Sequence, residues 1–185
     1  MAYNGELQNG KGIEYYKRAE GKIKYEGEWL NGKKHGKGVE YYGSVDFRKY
    51  AGYQESRIEV DEKNENIGTV KYDGYWVDGK RQGYGEYYWH SDLNVLNETT
   101  YKGEWLNGSQ NGKGDLYSYG KLVYSGEWLN GKKHGKGIQY ENNIIIYDGE
   151  WINGKKHGKG IKYSIHGFVE YKGEWLEDKK NLISN

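Results

Sequence analysis

The chain contains no cysteine and no proline. Without Cys, neither a disulfide framework nor a thiolate metal site can form, which suits a reducing compartment. Long apolar runs are missing too. No segment approaches the roughly 18 apolar residues of a membrane span, and the start MAYNGELQNG has no basic stretch followed by an apolar run. A soluble, cytoplasmic protein without a signal peptide is expected, and the sequons at Asn97 and Asn107 are then incidental. An excess of one charge is also lacking. A formal net charge of +1 gives no field to track phosphates, so nucleic acid is not expected as a partner. What the chain does have is 21 Tyr, 7 Trp and 30 Gly in 185 residues. Disordered chains are poor in aromatics, so this one should fold, and around rings instead of Leu and Ile.

The rings are periodic. Tyr-x-Gly recurs at Tyr3, Tyr25, Tyr50, Tyr72, Tyr101, Tyr124, Tyr147 and Tyr171, at spacings of 22, 25, 22, 29, 23, 23 and 24 residues. Four positions after them stand Leu7, Trp29, Gln54, Trp76, Trp105, Trp128, Trp151 and Trp175, so every Trp except Trp89 is in phase. A fixed period of this size marks a repeat architecture, in which each repeat buries its apolar face only by stacking on its neighbours.

Each repeat reads as a β-hairpin. Ile23-Lys24-Tyr25-Glu26-Gly27-Glu28-Trp29 alternates apolar and polar positions, the pattern of a strand with one buried face. Asn31-Gly32, Asp78-Gly79, Asn107-Gly108, Asn130-Gly131 and Asn153-Gly154 follow as type I′ turn signals. Counting from the turn at Asn31-Gly32 sets Trp29 opposite Lys34, Gly27 opposite Gly36 and Tyr25 opposite Gly38, with Glu28 meeting His35 and Glu26 meeting Lys37. Large rings would then lie over glycines of the partner strand, whereas a wider loop across Asn31 to His35 would shift these pairs.

The pattern Tyr-x-Gly-x-Trp-x-x-Gly-x-x-x-Gly-x-Gly is complete at Tyr25–Gly38, Tyr72–Gly85, Tyr101–Gly114, Tyr124–Gly137 and Tyr147–Gly160. It resembles the MORN (membrane occupation and recognition nexus) repeat, and the resemblance covers nearly the whole chain. It implies an all-β fold: an elongated, twisted antiparallel sheet, an open solenoid-like meander of about eight hairpins with truncated terminal repeats. A single domain over 1–185 is expected, with irregular insertions at 43–71 and 89–98. With a strand spacing near 4.8 Å, eight hairpins would span roughly 70 to 80 Å. The resemblance also implies a non-enzymatic module of protein assembly, of cytoskeletal or ciliary structures, or of attachment at membranes. Relatives that are enzymes carry a separate catalytic domain, and none is recognised here.

The departures are informative. The first repeat has Leu7 for Trp and reaches Gly10-x-Gly12 early, as a shortened cap would; the last never reaches the second Gly pair, and its charges would discourage edge-to-edge sheet addition. The repeat at Tyr50 has Gln54 for Trp, and the polar run 61–66 is expected to be a mobile tip.

Candidate sites follow. The rings Tyr72, Trp76, Tyr101, Trp105, Tyr124, Trp128, Tyr147, Trp151, Tyr171 and Trp175 form the expected core, and a single sheet cannot hide both faces, so they also mark a groove for a partner segment or another subunit. The basic turns Gly-Lys-Lys-His-Gly-Lys-Gly give Lys33, Lys34, Lys132, Lys133, Lys136, Lys155, Lys156 and Lys159 as contacts for acidic phosphoinositides on a membrane surface, the alternative function, each cation contributing on the order of 1 kcal/mol. The histidines His35, His134 and His157 recur about 10 Å apart, too far to share a metal, and are better read as cross-strand partners of Glu. Gly-Lys-Gly lacks the Ser or Thr at a helix start that a P-loop needs. No cofactor, metal or catalytic constellation is expected, and self-association is compatible with the pattern.

Overall fold

A computed structural model describes residues 9–17, 22–43, 70–91 and 94–182, with the backbone alone for 90, 91 and 94–98. The repeat starts at Tyr3 and Tyr50, the run 61–66 and most of the 43–71 insertion lie outside the described residues. All regular structure among the described residues is β-strand.

The chain divides into two compact units, Met1–Gly79 and Lys80–Asn185. The first holds β1 (Asn9–Tyr15), β2 (Ile23–Leu30), β3 (Lys33–Tyr41) and β4 (Val70–Val77), each antiparallel to the next in sequence. The second holds β5 (Lys80–Ser91), β6 (Asn94–Leu106), β7 (Ser109–Ser118), β8 (Lys121–Leu129), β9 (Lys132–Glu141), β10 (Ile144–Ile152), β11 (Lys155–Tyr163), β12 (Val169–Leu176) and the two-residue β13 (Lys179–Lys180), paired by the same rule. The expected all-β, open antiparallel meander of hairpins is what forms.

The turns are those that Asn-Gly favours. Asn130 (φ 50°) and Gly131 (φ 78°) occupy the left-handed region in succession, and the other Asn-Gly and Asp-Gly turns match them. Two positive φ values match the right-handed twist of the flanking strands, so the link closes in two residues. From Asp78-Gly79 onward these turns are also bonded to the hairpin before them: the Gly131 amide donates to the Gln110 carbonyl at 3.0 Å and the Gly154 amide to the Lys133 carbonyl at 2.8 Å. The truncated last repeat closes the same way without Gly, through Glu177 (φ 47°) and Asp178 (φ 68°), and the Asp178 amide reaches the Lys156 carbonyl.

The counted register holds only near the turn. Trp29 faces Lys34 and Glu28 faces His35 as expected, but Gly27 pairs with Gly38, Glu26 with Val39 and Tyr25 with Glu40. The expected Gly27–Gly36, Glu26–Lys37 and Tyr25–Gly38 pairs are therefore replaced, because two residues bulge out of the second strand. In the 124 repeat these are Gly135 (φ 56°) and Lys136, which pair forward with Trp151 and Glu150 of the next hairpin. The Glu127 carboxylate accepts the Lys136 amide at 3.1 Å, as Glu28 accepts Lys37 and Glu104 accepts Lys113. A glycine in the left-handed region at the bulge and a carboxylate to receive the freed amide make the two-residue shift stable. The carboxylate facing His134 is thus engaged with backbone.

The described parts of the 89–98 insertion, 89–91 and 94–98, are strand, with a register shift between Trp89 and Ser91. The insertion lengthens the β5–β6 hairpin, with Trp89 opposite Thr99 and Ser91 opposite Asn94. Trp89, without a place in the repeat, lies against Tyr87 at 4.5 Å between ring centroids. At the start, Gly12 pairs with Gly27 and accepts the Trp29 Nε1–H, so β1 supplies what the second strand of a repeat supplies elsewhere.

Candidate partner-binding face

Strand alternation gives each hairpin an aromatic face and an opposite face. On the aromatic face of β8 stand Tyr124, Gly126 and Trp128. Paired residues share a face, so Lys133, Gly137 and Gln139 of β9 stand there too. The Tyr124 ring lies across the Gly126–Gly137 pair, where an added Cβ on either glycine would meet the tyrosine.

The rings interlock along each unit. The Tyr124 hydroxyl donates to the Glu127 carbonyl at 3.0 Å, and the same bond recurs at Tyr25, Tyr72, Tyr101, Tyr147 and Tyr171. Each Trp Nε1–H reaches back to a glycine carbonyl of the preceding hairpin: Trp76 to Gly38, Trp105 to Gly85, Trp128 to Gly114, Trp151 to Gly137 and Trp175 to Gly160, at 2.9 to 3.2 Å. Edge-to-face contacts alternate, with Tyr124 at 5.2 Å from its own Trp128 and 5.4 Å from Trp151 of the next repeat. These pairs give directional packing worth about 0.5–1.5 kcal/mol each beyond area burial.

Tyr72, Tyr101, Tyr124 and Tyr147 are fully buried, Trp76, Trp105, Trp128, Trp151 and Trp175 nearly so, and Tyr171 is half-buried. The ten rings expected to line a groove are the core of the chain alone, and a partner on this face meets what covers them. The cover is the ninth residue after each Tyr. Lys34 lies over Tyr25 and Trp76 at 4.6 and 4.9 Å, Arg81 over Tyr87 and Trp105, Lys133 over Tyr124 and Trp151 at 4.7 and 4.8 Å, Lys156 over Tyr147 and Trp175 at 4.9 and 5.5 Å, and Lys180 over Tyr171. In the 101 repeat Gln110 takes this place and is 8% exposed. Burial lowers the Lys133 ammonium pKa, and Lys156 adds to the shift; burial likewise lowers that of Lys156, against the opposing influence of Asp178.

The basic turn does not present its lysines together. Lys133 and Lys156 go with the rings, whereas Lys132 pairs with Leu129, Lys155 with Ile152, Lys136 with Glu150 and Lys159 with Glu174 on the opposite face. Lys33 pairs with Leu30 and Lys34 with Trp29, the same division. The opposite face therefore carries exposed Lys33 beside exposed Leu30 in the first unit, and in the second Lys132, Lys136, Lys155 and Lys159, all exposed, beside the exposed aliphatics Leu106, Leu129, Ile152 and Leu176. The roles of Arg81, Gln110 and Lys180 as ring covers are not anticipated from sequence, although the pairing of Trp with the ninth position was countable from the turn.

Among the described residues, no group of three or more His, Asp or Glu is placed to hold a metal ion. The family model for the MORN repeat matches residues 25–44, 72–92, 101–120, 124–143 and 147–164, together more than half of the chain. The matches begin at the five Tyr that open complete motifs. A comparison with curated proteins gives no match.

Proposed function

The chain belongs to the MORN-repeat family, and on that premise we propose that it is a non-enzymatic scaffold that holds a partner protein segment or another subunit on the aromatic face. MORN repeats are generally modules of protein or membrane interaction. The observation that carries the proposal is the division of labour on this face. Backbone, rings and Trp donors satisfy one another along each unit, leaving a stiff base, while the cover residues vary from Lys to Arg to Gln over constant rings. A constant base with a variable cover is what a repeat scaffold needs to recognise one partner. Work in the cytoplasm, within a cytoskeletal or ciliary assembly, belongs to the same proposal.

A second reading, a peripheral adaptor on acidic phosphoinositides, is favoured by the opposite face, where exposed Leu129 and Ile152 stand beside exposed Lys132 and Lys155. Lysine-acetylation footprinting of the chain in its native assembly separates the two. Protection of Lys133, Lys156 and Lys180 with Lys132 and Lys155 still reactive supports the scaffold, and the reverse pattern supports the adaptor. Equal reactivity of all five with and without the assembly refutes both.

A further inference from the structure

We infer that the aromatic face around Lys133 and Lys156 is a recognition strip for an acidic peptide segment, with two carboxylates of an extended chain meeting the two ammonium groups. This rests on the proposal that the aromatic face is the partner surface, and names the chemistry of the partner.

The equivalent cation in the first unit is already neutralised. Lys34 lies 3.3 Å from Glu40 and 3.7 Å from Glu14, so its charge is answered within the chain. In the 124 and 147 repeats the position of Glu40 is held by Gln139 and Lys162, each paired with the repeat Tyr. Neither Lys133 nor Lys156 makes an ion pair among the described residues, and Lys162 is taken by Glu170 at 2.7 Å. Asp178 is the carboxylate that acts on both, and its Oδ1 accepts the Lys156 backbone amide at 2.9 Å.

Packing does not require a cation here. Gln110 covers the same site over the 101 repeat and is more deeply buried than most of the surface. A lysine in that place is therefore a half-buried charge that the fold could do without, and burial disfavours it by more than the opposing influence of Asp178, with which neither forms an ion pair, as the lowered pKa of both groups reflects. An incoming carboxylate would complete the pair.

The spacing defines the ligand. Lys133 and Lys156 occupy the same place in successive hairpins, two strands apart, which is about 9.6 Å. One turn of a polyproline-II chain takes three residues, rises about 9.3 Å and returns the side chain to the same side, so carboxylates at positions i and i+3 of a peptide crossing the strands match the two cations. A lipid headgroup layer would first meet the exposed Lys132 and Lys155 of the other face. A chain that lies down on the sheet reaches the half-buried pair.

The test is a tryptophan-fluorescence titration of the full chain, since Trp151 and Trp175 lie beneath the two lysines. The probes are a Gly/Ser peptide with Glu at i and i+3, the same peptide with Gln, and vesicles containing an acidic phosphoinositide. Expected is saturable binding of the Glu peptide, at least tenfold weaker binding of the Gln peptide, and about tenfold weaker Glu-peptide binding for each of Lys133→Gln and Lys156→Gln. Equal binding of Glu and Gln peptides overturns the inference without any variant. So does wild-type affinity in the folded Lys133→Gln, Lys156→Gln double variant, or vesicle binding with no peptide binding. A footprint that protects the aromatic face in the native assembly, together with no Glu-peptide binding, would sink this inference and leave the scaffold proposal standing.

Discussion

Gly137→Ala tests the packing on which both units depend. A Cβ added at Gly137 would collide with the Tyr124 hydroxyl and lie 2.5 and 2.7 Å from the ring carbons Cζ and Cε2. The ring has nowhere to go. It is fully buried between Trp128 and Trp151, its hydroxyl is bonded to the Glu127 carbonyl, and Lys133 lies over it. If the backbone gives way, the overpacking costs about 1–3 kcal/mol. If the ring is expelled instead, the loss approaches the about 3–5 kcal/mol of deleting a large buried aromatic. For a chain of this size, at about 2–4 °C per kcal/mol, the lowering of Tm should be about 2–12 °C in the first case and about 6–20 °C in the second.

The comparison residue is Gly131, whose φ is +78° and whose added Cβ would find only Gln110 Oε1, at 3.7 Å. Gly131→Ala should cost only the left-handed conformational penalty, about 1 kcal/mol. Urea unfolding followed by Trp fluorescence, with near-UV circular dichroism, measures both. A double-mutant cycle isolates the cause: once Tyr124→Ala has removed the ring, Gly137→Ala should add little, giving a coupling of about 2 kcal/mol. A Gly137→Ala variant no less stable than Gly131→Ala, or strict additivity with Tyr124→Ala, would refute the ring-over-glycine argument.

Three further outcomes follow from the same contacts. Trp151→Phe keeps a ring but leaves the buried Gly137 carbonyl without its indole donor, now 3.0 Å away, and should cost about 1–3 kcal/mol in urea unfolding; a loss below about 0.5 kcal/mol would contradict the role given to that bond. Glu127→Ala removes the acceptor of the Lys136 amide from an exposed site where water can replace it, so hydrogen exchange at Lys136 should accelerate while global stability falls by less than about 1 kcal/mol. At high pH, burial, reinforced by the Glu28, Glu127 and Glu150 carboxylates, keeps the phenols of Tyr25, Tyr124 and Tyr147 protonated, with Tyr147 pushed up to about 12. Because unfolded tyrosines ionise near 10, the stability these rings supply is complete below about pH 10 and lost as pH climbs through the raised values, so their ionisation should coincide with loss of the near-UV signal. A single tyrosine titration near pH 10 in a chain that stays folded would count against it.

The hairpin, its turn and its aromatic face could all be read from residues, because each is written locally: Asn130-Gly131 fixes the link, and alternation from Tyr124 through Gly126 to Trp128 fixes the face. The bulge could not be read this way. Counting back from Asn130-Gly131 sees only β8 and β9, whereas Gly135 and Lys136 leave β8 to pair with Trp151 and Glu150 of β10, so the shift is set by a neighbour one repeat away. Its size limits the damage. A shift of one residue would have turned every later side chain to the other face, but a shift of two preserves facing and exchanges only neighbours, so that Tyr124 meets Gln139 while still lying over Gly137. The lysines went astray for the opposite reason. Lys132-Lys133-His134 looks like one basic turn, but the turn ends at Gly131 and β9 begins at Lys132, so alternation sends adjacent lysines to opposite faces. A single row of cations thereby becomes two, one exposed beside aliphatics and one held on rings, and a variant of Lys133 tests a different surface from a variant of Lys132.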